Sequence, residues 1–374
     1  MRDLPRAGRD HLILYGYYGC GNFGDDLLLM ATIAGLQPIF PGYGFIIRDH
    51  GLPPTVAAVG ITVTFTGIET ILVAGRRRGI GRWLTYFVAW RRILGQSRWL
   101  IFGGGTVFHA RPSLNSLLLQ WAICTMARRQ GVRVAALGVG VSELRPAARG
   151  ILRRIIAMSD LFLVRDVAAL AQCAGTKAQQ RGELTFGLTE LRQRRSADSG
   201  DAVGLTVYPP ACSKPGVLEA LRETVRLLRK RGSLVVFLVS QRPGATADDA
   251  SVFAKIADDV EIRTLEPNSG ALARAFGGLG VVCGMRYHAM AMGAMAGIPF
   301  AGISHDNKIA ELCRQLAMPC VELLGLTADR LVAAIADAKG RTPDVRVLDE
   351  AAAAAAMNFR RMAEIAASAA RQSL

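Results

Sequence analysis

The chain has 374 residues, 51% of them apolar and 20% charged, with a mean hydropathy of +0.27 and a formal net charge of +15. That length predicts two domains of about 170 to 190 residues, and that composition excludes a disordered chain. The seven cysteines are scattered and never in CxxC spacing, which argues against a disulfide framework and against a zinc site.

His11–Tyr17 reads as a strand, followed by a turn at Tyr18–Gly24 and a helix to about Gly35. Trp99–Phe102 is a buried strand that ends in Gly103, Gly104 and Gly105; a helix from about Ser113 follows, with Gly131 placed to terminate it. Val132–Leu137 and Leu161–Val164 are further strands, and the polar run Arg192–Asp201 reads as a linker. The pattern then restarts with Ala202–Val207, Leu234–Val239, Gly280–Cys283 and Phe300–Ile303, and closes on an alanine-rich helix over about Leu348–Arg371. Short β-branched runs alternating with amphipathic stretches predict the α/β class with parallel sheets. The expected architecture is two Rossmann-like, doubly wound domains facing a cleft, over 1–195 and 202–345, with a helix at 348–371 packing back on the N-terminal domain.

The basicity is local. Between Thr70 and Ser142 there are eleven arginines and no acid, which leaves 34 bases against 30 acids elsewhere. Within it, Arg76 to Trp99 interleaves arginines with Trp83, Tyr86, Phe87, Trp90 and Trp99. Such a segment suits an anionic membrane surface, with aromatics at headgroup depth; it also suits a basic surface helix. No aromatic platform or finger pattern points to nucleic acid. No stretch is long and apolar enough to span a bilayer, and MRDLPRAGRDH lacks the apolar run of a signal peptide. The expected location is the cytoplasm, peripheral at the inner face of the membrane.

In parallel sheets, ligands bind beyond the carboxyl ends of the strands, where helix N-termini aim free N–H groups at them. Strand 280–283 runs into Gly284, and Arg286 and His288 open the next helix; strand 300–303 runs into Ser304, His305, Asp306, Asn307 and Lys308. Adjacent turns of one βαβ unit would deliver Arg286, His288 and Lys308 to one rim, a cation set that is costly at helix N-termini unless an anion binds there. Three turns of the first domain match. YGYYGCGNFGDD holds Gly21, Asn22, Gly24 and Asp25; IFGGGTVF holds Gly103 to Gly105; LFLVRD places Arg165 just past a strand, where a plain surface pair with Asp166 is the alternative. Gly19 to Gly24 also fits GxGxxG, with Asp49 at the spacing of a ribose-binding acid, so a nicotinamide enzyme stays open. His11 and His50 read as structural, and His109, after the glycine turn, is ambiguous.

GYYGCGNFGDDLLL, LIFGGGTVF, GVGVSEL, LVRD and above all CGMRYHAMAMGAMAGIPFAGISHDNK, in this order over residues 15 to 308, resemble the polysaccharide pyruvyl transferase family. The resemblance implies a GT-B-like fold, with the N-terminal domain on the acceptor side and the C-terminal domain on the donor side. It also implies transfer of pyruvate from phosphoenolpyruvate onto two sugar hydroxyls as a ketal, on an exopolysaccharide or its lipid-linked precursor. By motif it places donor binding on Arg165, Arg286 and Lys308. Arginine forks suit the donor's carboxylate and phosphate, and lysine serves as a point charge. His288 suits the acid/base role, because imidazole gives and takes protons near neutral pH. Gly21, Asn22, Gly24, Asp25, Gly103, Gly104, Gly105 and Asp306 are left as acceptor or cleft-loop candidates. No step of this reaction asks for a metal or other cofactor. The open alternatives are a GT-B glycosyltransferase or sugar-nucleotide enzyme, and a non-catalytic glycan-binding relative.

Overall fold

The computed structural model describes residues 9–48, 63–66, 68, 80–110, 113–192, 200–242 and 248–371. Asp49, His50, Arg76 to Arg78 and most of the expected linker fall outside them. The chain divides into two compact units: Met1–Cys20 with Leu28–Gly187 and Ala351–Leu374, and Gly21–Leu27 with Leu188–Glu350.

The first unit carries β1 (His11–Tyr15), most of α1 (Phe23–Leu36), β2 (Gly44–Ile47), β3 (Val63–Phe65), α2 (Ile80–Gly95), β4 (Ser97–Gly103), α3 (Asn115–Arg129), β5 (Arg133–Val139), α4 (Pro146–Met158), β6 (Leu161–Val164), α5 (Val167–Gln172) and β7 (Gln179–Gln180). Its seven strands are parallel, in the order β3-β2-β1-β4-β5-β6-β7. Residues such as Leu100, Ile101, Phe102, Val134, Ala135 and Ala136 have no exposure. Both faces of these strands are covered, hence the continuous apolar runs in place of alternation. On one face, Tyr86, Trp90 and Leu94 of α2 join Leu117 and Ile123 of α3 and Leu152 and Ile155 of α4 in one core. Gly131 (φ 71°) ends α3 as its position predicts, since the left-handed turn costs glycine nothing.

This unit corrects the reading of Arg76 to Trp99. Trp99 lies in β4, and Trp90 and Tyr86 are 1% and 0% exposed, so three of the five aromatics belong to the core and cannot lie at headgroup depth. An aromatic on a basic helix is cheapest where it leaves water altogether, and the sheet offers that.

The second unit carries β8 (Ala202–Thr206), α6 (Pro209–Cys212), α7 (Val217–Lys230), β9 (Val235–Val239), α8 (Asp249–Ile256), β10 (Glu261–Thr264), α9 (Ser269–Phe276), β11 (Leu279–Gly284), α10 (Tyr287–Met295), β12 (Phe300–Ser304), α11 (Asn307–Gln315), β13 (Cys320–Glu322) and α12 (Ala328–Lys339). The parallel order is β10-β9-β8-β11-β12-β13. The chain leaves β8 toward β9 and β10, then crosses back to β11 on its other side. The neighbours β8 and β11 thus form the switch point where ligands enter such sheets.

Residues Gly21–Leu27, expected in the N-terminal domain, group instead with this second unit. Phe23 N donates to Ser240 O at 2.8 Å, and Arg242 N donates to Gly21 O at 2.8 Å. The last helix, α13 (Val345–Arg371), contributes its residues from Ala351 onward to the first unit. There Asn358 Nδ2 donates to Gly182 O at 3.2 Å, and a Cβ on Gly182 would lie 2.8 Å from Ala355 N. The alanine run is what lets two backbones approach so closely.

Candidate functional site

In the second unit the sheet edge beyond β8, β9, β11 and β12 gathers the charged groups. Gly284 ends β11 with φ 139°, and a Cβ there would stand 2.0 Å from Thr206 O, so only glycine permits the approach. Fully buried Thr206 accepts through Oγ1 from Met285 N at 3.2 Å and Arg286 N at 3.3 Å. This ties the end of β11 to the end of β8 and fixes Arg286 as the residue that enters α10.

The Arg286 side chain is 12% exposed. Its Nε donates to Val207 O at 2.8 Å, its Nη2 is hydrogen-bonded to Asp249 Oδ1, and its guanidinium lies 5.3 Å from the Tyr208 ring centre. Asp249, wholly buried at the start of α8, also accepts from Ser240 N at 2.9 Å and Gln241 N at 2.8 Å. Burial raises the Asp249 carboxyl pKa above the usual carboxylate range, against the pull of Arg286 and the two N–H groups. Asp249 therefore holds the arginine fork in one orientation while spending few of its donors.

His288 is the second residue of α10 and half-buried. Gly24 lies against its ring: a Cβ at Gly24 would come within 2.0 Å of His288 Nδ1. Gly24 is placed there by the α1 cap. Asn22 Oδ1 accepts from Gly24 N at 2.8 Å and Asp25 N at 3.3 Å, and Asn22 Nδ2 donates to Gln241 Oε1 at 3.1 Å. Half-buried Asp25 and buried Asp26 sit in the first turn, where carboxylates complement the helix dipole; Asp26 also pairs with Arg242 at 3.1 Å. Gly21 takes φ 72°.

On the next turn Asp306 caps α11, accepting from Lys308 N at 3.0 Å and Ile309 N at 3.3 Å. Capping explains Asp306 and Asn22 without an acceptor. Lys308 Nζ lies 3.7 Å from Asp306 Oδ2 and is 41% exposed. His305 stacks on Tyr208 at 4.6 Å between ring centres. Burial lowers the His305 pKa; Asp306 opposes this, and the charges of Lys308, Arg286 and Lys214 add to it. The Tyr208 ring thus carries His305 at 4.6 Å and the Arg286 guanidinium at 5.3 Å, beside the switch point.

The first unit holds the other candidates. Tyr18 Oη donates to Gly103 O at 2.5 Å, and Gly104 and Gly105 take φ 61° and 68° as the chain leaves β4. Arg165, just past β6, is 9% exposed, not a surface residue. Its donors reach Asp166 Oδ2 at 2.8 Å, Glu183 Oε2 at 3.2 Å and Thr106 Oγ1 at 3.2 Å. His109 is hydrogen-bonded to Tyr17 Oη and stacked on its ring at 5.6 Å.

Asp249, Tyr208 and Lys214 were not picked out from the sequence, and His305 was seen in its turn but given no role. Asp249 follows the cap residue Asp248 and looks like a second solvent-facing acid; only its tertiary burial marks it. Tyr208 carried a legible signal, since it lies two residues past a strand end.

The sequence profile of the polysaccharide pyruvyl transferase family matches residues 22–307, and no curated protein matches the chain. Among solved structures, the chain is similar to S. aureus MnaA, solved with UDP (10% identity, 94% of each chain, TM-score 0.60). It is also similar to the UDP-GlcNAc 2-epimerase of Methanocaldococcus jannaschii (13% identity, 89% of this chain and 93% of that one, TM-score 0.56) and to Acinetobacter baumannii MurG (11% identity, 96% and 99%, TM-score 0.51). At these identities the likeness concerns the fold, which is of the GT-B type.

Proposed function

Because the chain belongs to the polysaccharide pyruvyl transferase family, we propose that it transfers pyruvate from phosphoenolpyruvate onto two hydroxyls of a sugar, as a ketal, in a cell-surface polysaccharide or its lipid-linked precursor. The observation that carries the reading is Arg286 and Lys308 on the turns after two paired strands, β11 and β12, with His288 two residues from Arg286 and the Tyr208 ring shared by Arg286 and His305. A donor with a carboxylate and a phosphate needs such a set, and an arginine fork suits either group.

In this reading His288 gives a proton to the methylene carbon of the enol phosphate, and the adjacent carbon becomes oxocarbenium-like. The first sugar hydroxyl adds there and loses its proton; the carbon–oxygen bond to phosphate breaks and inorganic phosphate leaves. The second hydroxyl closes the ring and gives up its proton. Arg286 and Lys308 hold the leaving phosphate and the carboxylate, and Arg165 has a share in donor binding. His288, once it has given its proton, takes the one lost by the first hydroxyl, and the proton of the second leaves on the phosphate; the reading calls on no cofactor beyond the donor substrate.

The test is phosphate release from phosphoenolpyruvate with a panel of free and lipid-linked glycans. His288→Ala is expected to lose turnover far more than donor binding, whereas Arg286→Ala and Arg165→Ala lose binding as well. Nucleotide-sugar binding in place of phosphoenolpyruvate binding, or unchanged turnover in His288→Ala, would overturn the reading.

A further inference from the structure

Helix α2 has two apolar stripes. Tyr86, Trp90 and Leu94 face the core, while Trp83, Leu84 and Val88 are 41%, 63% and 59% exposed. At positions i, i+1 and i+5 these three form a stripe beside the buried one, which runs on into Arg91 and Arg92. Leu118 of α3 (42% exposed) and Leu114 just before it (37%) are exposed on the neighbouring helix, which packs against α2. Half of the large exposed hydrophobics among the described residues lie on these two helices or at the start of α3. The charge is as one-sided: α2, α3 and α4 hold three, two and three arginines and no Asp, Glu or Lys.

Exposed apolar side chains stay in water only at a cost, and a concentration of them on two packed helices marks a docking surface. The surrounding arginines decide what docks. A second copy of the chain would bring like charges face to face. Nucleic acid would find a single stacking ring, Trp83, among Leu84, Val88 and Leu118, which offer neither stacking nor a hydrogen bond. A bilayer with anionic headgroups satisfies both features, since leucine, valine and tryptophan enter the headgroup boundary while the arginines remain at the phosphates. We propose that the outer face of α2 and α3 docks on an anionic membrane surface. This relocates the contact expected from Arg76 to Trp99 to Trp83, Leu84, Val88, Leu114 and Leu118. No helix among the described residues is long and apolar enough to cross a membrane.

The proposal is independent of the donor chemistry, because vesicle association needs no phosphoenolpyruvate. The full chain is sedimented with vesicles of phosphatidylcholine alone or with one-third phosphatidylglycerol. Association with the anionic vesicles only is expected, weakened by high salt. Leu84→Ser/Val88→Ser should lower it at least tenfold. In Arg91→Glu/Arg92→Glu each lost arginine should cost about fivefold, the equivalent of about 1 kcal/mol, while Arg91→Lys/Arg92→Lys should retain it. Unchanged thermal melting excludes misfolding. The proposal is overturned if anionic vesicles do not bind, if binding survives both double variants, or if the patch instead mediates a dimer or binds oligonucleotides without binding vesicles. Phosphate release with a soluble glycan separates this outcome from a failure of the functional reading.

Discussion

Gly24→Ala is the sharpest probe of the site. The new methyl would stand 2.0 Å from His288 Nδ1 and 2.8 Å from Cγ, where ordinary contact begins near 3.4 Å, so the imidazole must move by about 1.4 Å. The root of the ring is crowded as well as its tip, so a swing of the far edge alone does not clear the clash. Misplacing a reacting group by about 1 Å costs roughly 100-fold in rate. Stability should change far less. Alanine gains about 1 kcal/mol over glycine inside a helix, which offsets an overpacking cost of about 1–3 kcal/mol. The expected result is turnover of phosphoenolpyruvate down about 100-fold, with melting within a few degrees of wild type. Wild-type turnover in a folded Gly24→Ala variant would refute the placement of His288 as the proton donor.

Asp249→Asn keeps the acceptor for Ser240 N and Gln241 N but removes the charge that orients Arg286; we expect the donor KM to rise about tenfold, about 1.4 kcal/mol, with kcat changed less. An unchanged KM would mean that Val207 O alone orients the guanidinium. Thr206→Val keeps the volume and removes the acceptor of Arg286 N, so denaturant titration should show a loss of about 1–3 kcal/mol. Equal stability would show that the amide finds another partner. His305 has a lowered folded pKa, so its contribution is present above the unfolded imidazole value and lost as pH falls below about 6.5. His305→Phe retains stacking on Tyr208 and should flatten the acid limb of the stability–pH curve below about pH 6.5. An identical curve would place the acid sensitivity elsewhere.

Much of the site could be read along the chain because parallel α/β folding writes it at strand ends. The strand before Gly284 and the one before Ser304 are short β-branched runs, each followed by a helical period, so Arg286, His288 and Lys308 fall on one edge of the sheet once the strands pair. Leu161–Val164 was legible to the residue for the same reason. The short strands β2, β3, β7, β10 and β13 were not read, because two to four residues carry little period of their own. Asp249 escaped because its importance is a burial, and an acid at a helix start reads as solvent-facing.

Local pattern therefore settled the class of the fold and placed Arg286, His288 and Lys308 in the turns after two strands, since each depends on neighbours a few residues apart. Tertiary structure alone decided three other matters. It buried Tyr86, Trp90 and Trp99 and left Trp83 outside, because a helix with two apolar stripes does not say which one meets the sheet. It joined Asn22 to Gln241 across 219 residues, moving the first turn of α1 to the second unit. It also set Asp249 behind Arg286, a pairing made by strand order, which periodicity along the chain does not encode.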